Sequence, residues 1–193
     1  MVRQAKDGKP YLVGVKEFGA LYGVRPLQVS QWISRDKRLD YAYARIISGS
    51  PYWLLDFAKR YGTTTPRPKR LDEAALQRLV EEQKPGYWES RVEDLPAMVG
   101  QSEIAVLFGL PDSAGVRTAA KTGRLRPADY TLSGSPIWLL EPLLDDAPAL
   151  KASARGGGWV INESVRDALL AGTYDGHGSR IIPRGPGAAK DAG

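Results

Sequence analysis

A mainly α-helical protein with small β-hairpins, built from two copies of one unit joined by a helical linker, is what the sequence predicts. Three observations carry that expectation. Ser48-Gly49-Ser50-Pro51-Tyr52-Trp53-Leu54-Leu55 returns 85 positions later as Ser133-Gly134-Ser135-Pro136-Ile137-Trp138-Leu139-Leu140, with seven of eight residues identical. Upstream, Val13-Gly14-x-x-Glu17-x-x-x-Leu21-x-Gly23 returns as Val99-Gly100-x-x-Glu103-x-x-x-Leu107-x-Gly109, 86 positions on. Apolar residues within and after the first of these upstream blocks recur at helical spacing, and the hairpin blocks are rich in β-type residues. Two matches in one order at nearly one offset mark a tandem duplication, with one residue gained or lost between the blocks.

The first unit follows an arm. Residues 1–10 are polar and basic, with Gly8 and Pro10, and read equally as a phosphate-touching or a disordered segment. Val15, Phe18, Leu21 and Tyr22 predict a short helix that Gly23 stops. Pro26 suits the first position of a second helix running to Arg35, with Val29, Trp32 and Ile33 inward. Two short helices around a Gly-Val turn are the helix-turn-helix arrangement, whose second helix enters the major groove. Tyr41, Tyr43, Ile46 and Ile47, the Ser48–Pro51 turn and Tyr52–Leu55 then read as a hairpin behind it, a wing. Asp56 is the expected cap of a closing helix, Phe57 to Tyr61, ended by Gly62.

These residues resemble a family. The order Val-Gly-x-x-Glu-(x)3-Leu-x-Gly-Val, a helix ending in Trp-Ile, and a Gly-Ser-Pro hairpin with x-Trp-Leu and an acidic cap is similar to the MerR/excisionase-type winged helix. Units of this kind are common in actinobacterial and actinophage DNA-binding proteins. The resemblance covers residues 11–62 and, more loosely, 97–147. It implies DNA binding. The long dimerisation coiled coil and effector domain of full-length MerR regulators are missing. In plan alone, the pairing of a helix-turn-helix with a second DNA-binding domain is loosely similar to actinophage immunity repressors.

The predicted organisation is therefore two tandem winged helix-turn-helix domains, 11–62 and 97–147, mainly α with small β-hairpin wings. A linker, 63–96, joins them. Thr63–Arg70 is stiffened by two prolines and carries three basic residues. Leu71 to Gln83 reads as an amphipathic helix with Leu71, Ala75, Leu76, Leu79 and Val80 on one face. It reads as a strut, with a dimerisation face as the alternative. Pro85-Gly86 breaks it, and Tyr87 and Trp88 are expected to tuck against a core. In the second unit Ser102 to Phe108 is helix one and Asp112 is the expected cap of a helix to Lys121. Ala119 and Ala120 align near Ile33 and Ser34, and Gly115 weakens the helix by about 1 kcal/mol relative to alanine. Residues 148–193 read as an extension packing on unit two, with Asn162 capping a helix to Leu170 that Gly172 ends. A partial third copy is the alternative. The Gly-, Pro- and Ala-rich sequence beyond Gly172 reads as flexible.

Composition bounds the partners. The net charge is +5 over 193 residues, unevenly spread. Residues 1–70 hold fourteen Lys and Arg against five Asp and Glu, while 71–96 hold three against seven. A concentrated basic segment fits a polyanion. The chain has no cysteine and no apolar run of membrane-spanning length. The expected place is the cytoplasm, nucleoid-associated, and no membrane partner is expected. His177 is the one histidine and stands in a Gly-rich segment without a partner pattern. No phosphate loop or His-Glu-x-x-His motif occurs, so the reading is not an enzyme, with no cofactor, metal or small-molecule ligand.

The outward residues of the first recognition helix are Arg25, Gln28, Gln31 and Arg35. Glutamine pairs with adenine and arginine with guanine through two hydrogen bonds in the major groove. Ser30 reaches a phosphate or a base edge. In the second helix Ser113, Arg117 and Lys121 share one face. Lys37, Arg38, Arg45, Arg124 and Arg126 sit between helix and wing and are expected on backbone phosphates, which position without reading sequence. Ser48, Ser50, Ser133 and Ser135 read equally as backbone contacts or as turn residues, and Trp53 and Trp138 as core. The expected function is sequence-specific double-stranded DNA binding, a transcriptional regulator or repressor, with two unlike helices reading an asymmetric site. A monomer on DNA is favoured over a dimer. The alternatives are an excisionase-like or packaging factor that shapes DNA, and a protein-interaction adaptor.

Overall fold

The computed structural model describes residues 8–35, 39–154 and 158–181. Among them the fold is mixed α/β, with nine α-helices around small two- and three-stranded sheets. No described helix is long and apolar enough to cross a membrane.

Two short strands open the chain, β1 (Lys9–Pro10) and β2 (Leu12–Val13). Helices α1 (Val15–Leu21) and α2 (Pro26–Arg35) follow at their expected places. Tyr41–Tyr43 forms a 3-10 turn rather than strand, with Asp40 accepting from the Ala42 N–H. Strands β3 (Ala44–Ile47) and β4 (Ser50–Leu54) make the hairpin, and β2 adds to β4 as a third strand, Val13 facing Trp53. Helix α3 (Leu55–Thr64) starts one residue before Asp56, which forms a 2.6 Å ion pair with Arg60 instead of capping it. Gly62 lies within α3 rather than ending it. A Cβ there would strike the Tyr22 ring and the Lys69 carbonyl, so the close approach demands glycine.

Helix α4 (Glu73–Glu82) is capped by Asp72, whose carboxylate accepts from the Ala75 N–H at 3.0 Å. Its apolar face packs Leu76 and Leu79 into the core of unit one, as a strut should. Strand β5 (Gly86–Tyr87) pairs in parallel with β1. Trp88 is not tucked into a core: it is 45% exposed, edge-on to Tyr11, with Lys59 over its ring.

Unit two repeats the order: β6 (Met98–Val99), α5 (Gln101–Leu107), α6 (Ala114–Lys121), β7 (Tyr130–Leu132), β8 (Ser135–Leu139), α7 (Leu140–Asp145) and α8 (Ala147–Ala152). Val29 and Val116 are both fully buried and occupy one place in the two units. Ala119 therefore matches Trp32, and Ala120 matches Ile33, one residue from the register that sequence alignment implies. Asp112 accepts from the Ala114 N–H at 2.7 Å, one residue ahead of the helix cap, Ser113.

The last helix, α9 (Glu163–Ala171), is capped by Asn162 and ends at the left-handed Gly172. It does pack on unit two, through Val165 and Leu169. It is also the counterpart of α4. The cap Asp72 donates its N–H to the Leu21 carbonyl at 2.8 Å, and the cap Asn162 donates to the Leu107 carbonyl at 2.7 Å. Each duplicated unit thus carries its own strut helix, which the sequence hides because the two helices share little beyond a capping side chain.

Strand alternation divides the core. Val13, Trp53 and Leu55 face the helices of unit one, and Val99, Trp138 and Leu140 those of unit two. The alternate residues of both sheets meet in a third cluster: Leu12, Tyr52 and Leu54 from unit one with Met98, Tyr130, Leu132 and Ile137 from unit two. The two sheets pack face to face between two helical layers. The central strands β4 and β8 are covered on both faces, so the hairpins are not free wings.

Their turns are held in the same seam. Ser48-Gly49 and Ser133-Gly134 are two-residue turns with positive φ at both positions (47° and 73°, 51° and 79°), as hairpin turns of the mirror-image type require. The backbone N–H and hydroxyl of Ser133 donate to Glu17 at 2.7 and 2.9 Å. Those of Ser48 donate to Glu103 at 2.6 and 2.7 Å. Glu17 also accepts from the Gly14 N–H at 3.1 Å and Glu103 from the Gly100 N–H at 3.0 Å. The two repeated motifs are therefore each other's partners: the Gly-x-x-Glu of each unit holds the Ser-Gly-Ser-Pro of the other. Beyond Gly172 the segment to Ile181 is docked rather than free, the Gly49 N–H donating to the Gly178 carbonyl at 2.9 Å.

Candidate nucleic-acid interface

Helix α2 hangs on α1 by the buried Val29 and the half-buried Trp32 and Ile33. Tyr22 stiffens the base of this pair. Its hydroxyl donates to the Ala58 carbonyl at 2.6 Å and accepts from the Gly62 N–H at 2.8 Å. Burial raises its pKa, against the lowering effect of that N–H. Lys69 lies 4.8 Å over the Trp32 ring, so the basic linker packs on the back of α2.

With its inner face committed, α2 leaves Gln28, Ser30, Gln31 and Arg35 exposed, and Arg25 is exposed just ahead of it. The Ser30 hydroxyl donates back to the Pro26 carbonyl at 3.3 Å, a bond a DNA contact would have to replace. Leu27, in the first turn, is 70% exposed. Sequence reading passed over it because it looks only for polar readers, although Leu27 stands outside the inward stripe and that alone could have flagged it. A cleft of about 420 Å³ runs between Pro26, Ser30 and Ile33 and the two hairpin turns, with Lys16 on its wall.

Helix α6 is built alike on Val116 and Ala119. Arg117 and Lys121 are exposed on it. Ser113 is half-buried and its hydroxyl accepts from Arg117 at 3.1 Å, which holds the guanidinium near the start of the helix. At the places of Ser30 and Ser34 in unit one, unit two thus carries Arg117 and Lys121.

The residues expected on phosphates are placed differently from one another. Lys37 and Arg38 lie outside the described residues. Arg45 is half-buried beside Glu93 and the C-terminal end of α9, in a cleft with Leu169 and Gly172. Burial lowers its pKa, against the opposing pull of Glu93. Arg124 packs its guanidinium 4.7 Å over the Trp159 ring, with Nε and Nη2 buried. Arg126 accepts the Trp138 indole N–H on its carbonyl at 2.9 Å and reaches to 4.0 Å from Asp146. Arg45, Arg124 and Arg126 are thus engaged in packing, whereas Arg25, Gln28, Gln31, Arg35, Arg117 and Lys121 are open to solvent.

No family model, curated protein or solved structure matches the chain.

Proposed function

We propose that the chain is a sequence-specific double-stranded-DNA-binding protein, a transcriptional regulator of the repressor kind, that presents α2 and α6 to major grooves as recognition helices of two helix-turn-helix units. One observation carries the reading. Two equivalent helices, each after a left-handed glycine turn, bury a matching valine and expose unlike polar faces, Arg25, Gln28, Gln31 and Arg35 on one and Arg117 and Lys121 on the other. Those side chains have the donors and acceptors that base edges require. The positive balance of the first 70 residues supplies the attraction for phosphate. The resemblance of the motifs to MerR/excisionase-type units supports the same reading. The hairpins do not take the wing's part in it, because their turns are held in the seam.

Affinity for random duplex DNA across a salt series, then selection of a preferred site, tests the proposal. Binding that weakens steeply with salt and a selected site with two unlike halves are expected. Absence of binding at low salt would overturn it and point to a protein partner instead.

A further inference from the structure

From the reciprocal seam we infer that the two halves of the DNA site are inverted with respect to each other at one fixed spacing, though unlike in sequence. This rests on the DNA-binding reading above and deepens it.

Tandem copies can meet in two ways. In a head-to-tail arrangement, a patch A on the first copy meets a patch B on the second, and the first copy's B is left facing elsewhere. In an isologous arrangement A meets B and B meets A, which only a twofold relation allows. Here Glu17 of unit one holds Ser133 of unit two, and Glu103 of unit two holds Ser48 of unit one. The outer bonds repeat as well: the Lys16 N–H donates to Ser133 Oγ and the Ser102 N–H to Ser48 Oγ, both at 3.0 Å. The sheet cluster between them takes equivalent strands from both sides. The units are therefore related by a local twofold axis within one chain.

That axis governs α2 and α6. Pro26, Ser30 and Ile33 of α2 line the same cleft as Ser133 and Ser135, so α2 flanks the seam. The twofold puts α6 in the corresponding place. Helices related by a twofold read the two strands of a duplex in opposite directions, which is why symmetric dimers read inverted repeats. This chain keeps that geometry but has lost the identity of the readers, since Ser30 and Ser34 correspond to Arg117 and Lys121. The two latches and the shared apolar cluster tie the units to each other, so the spacing between half-sites is set by the protein.

The test uses the full chain and its selected site. Gln28→Ala with Gln31→Ala assigns one half, and Arg117→Ala with Lys121→Ala the other. Three duplexes are then compared: the selected site, the same site with the second half re-oriented to a direct repeat, and the same site with two base pairs inserted. Re-orientation and insertion are each expected to weaken binding at least about tenfold, the worth of one good base contact. The Glu17→Ala, Glu103→Ala double variant, if it remains folded by circular dichroism, should tolerate the insertion better than the parent. Half-sites in the same orientation, equal binding to the direct repeat, or a complex that holds its halves on two separate duplexes would each overturn the inference and leave DNA binding standing. No binding to any duplex at low salt removes the DNA-binding reading and the inference with it.

Discussion

Glu17 receives both the backbone N–H and the hydroxyl of Ser133, at 2.7 and 2.9 Å, across a sequence separation of 116 residues. Ser133 needs the help. It holds a φ of 51°, a conformation that side chains other than asparagine and aspartate seldom adopt. The carboxylate stabilises that turn while tying it to the first helix of the other unit, so local turn geometry and domain arrangement rest on the same bonds.

The Glu17 latch is expected to show strong coupling. Hydrogen bonds to a charged group contribute about 1.5–3 kcal/mol, and a donor left buried without one costs about as much. A double-mutant cycle of Glu17→Ala and Ser133→Ala, read by urea unfolding, should return a coupling energy of about 1–3 kcal/mol. Coupling near zero would mean that the two side chains meet without holding the units together.

The glycine that begins each latch is expected to resist enlargement. A Cβ on Gly14 would fall inside contact distance of Ser133 Oγ, and one on Gly100 inside that of Ser48 Oγ. Gly14→Ala or Gly100→Ala should therefore lower stability by about 1–3 kcal/mol, the usual cost of overpacking. Gly123→Ala meets no atom within 4 Å but must adopt a φ of 72°, so it isolates backbone strain from crowding. Limited proteolysis of Gly14→Ala should release units that stay together in the parent.

Much of this was legible in the sequence, and the rest was hidden for identifiable reasons. Two repeated motifs stood out, and the helices from Val15 and Pro26, and to within a residue those expected from Ser102 and Ser113, followed from helical spacing and caps. What the motifs do to each other was not legible, because their contacts run between units rather than within one. One local signal was available: Tyr52-Trp53-Leu54-Leu55 and Ile137-Trp138-Leu139-Leu140 are unbroken apolar runs, the pattern of strands buried on both faces. A wing with one face in water would alternate. The kinship of α4 and α9 was hidden because packing on α1 and α5 asks only for a capping side chain and spaced apolar residues. The packing of Arg45 and Arg124 was hidden for a simpler reason: a long cationic side chain next to a turn looks alike in sequence whether it faces solvent or packs against its own chain.

Alkaline pH is expected to weaken the seam. Tyr130 is buried there, and its hydroxyl donates to the Pro10 carbonyl at 2.7 Å. Burial raises its pKa far above the ordinary 10.0, with Tyr87 and Asp129 adding to the effect. Tyr52, in the same cluster, is shifted in the same direction, mainly by burial. A raised folded-state pKa means that the unfolded chain releases the proton first. The stabilising contribution is complete below pH 10 and is lost progressively as pH rises above it. Thermal unfolding followed from pH 8 to 11 should show a falling midpoint. The fall should be shallower in Tyr130→Phe, which also starts about 1 kcal/mol lower for want of the hydrogen bond. Equal slopes in the two proteins would show that Tyr130 titrates normally.

Leu27 offers the most specific test of how α2 reads DNA. An exposed leucine in the first turn of a recognition helix gains nothing in water, but it suits the 5-methyl group of thymine, the one apolar mark in the major groove. Arg25 and Gln28 beside it would pair with neighbouring bases. If Leu27 makes that contact, replacing thymine by deoxyuridine at one position of the selected site should weaken binding severalfold. That loss should vanish in Leu27→Ala, while Arg117→Ala should leave it intact, because the contact belongs to the other half-site. A methyl effect that persists without Leu27 would assign the contact to another residue. The absence of any methyl effect would leave Leu27 as surface and the selectivity of this half-site to Gln28, Gln31 and the two arginines.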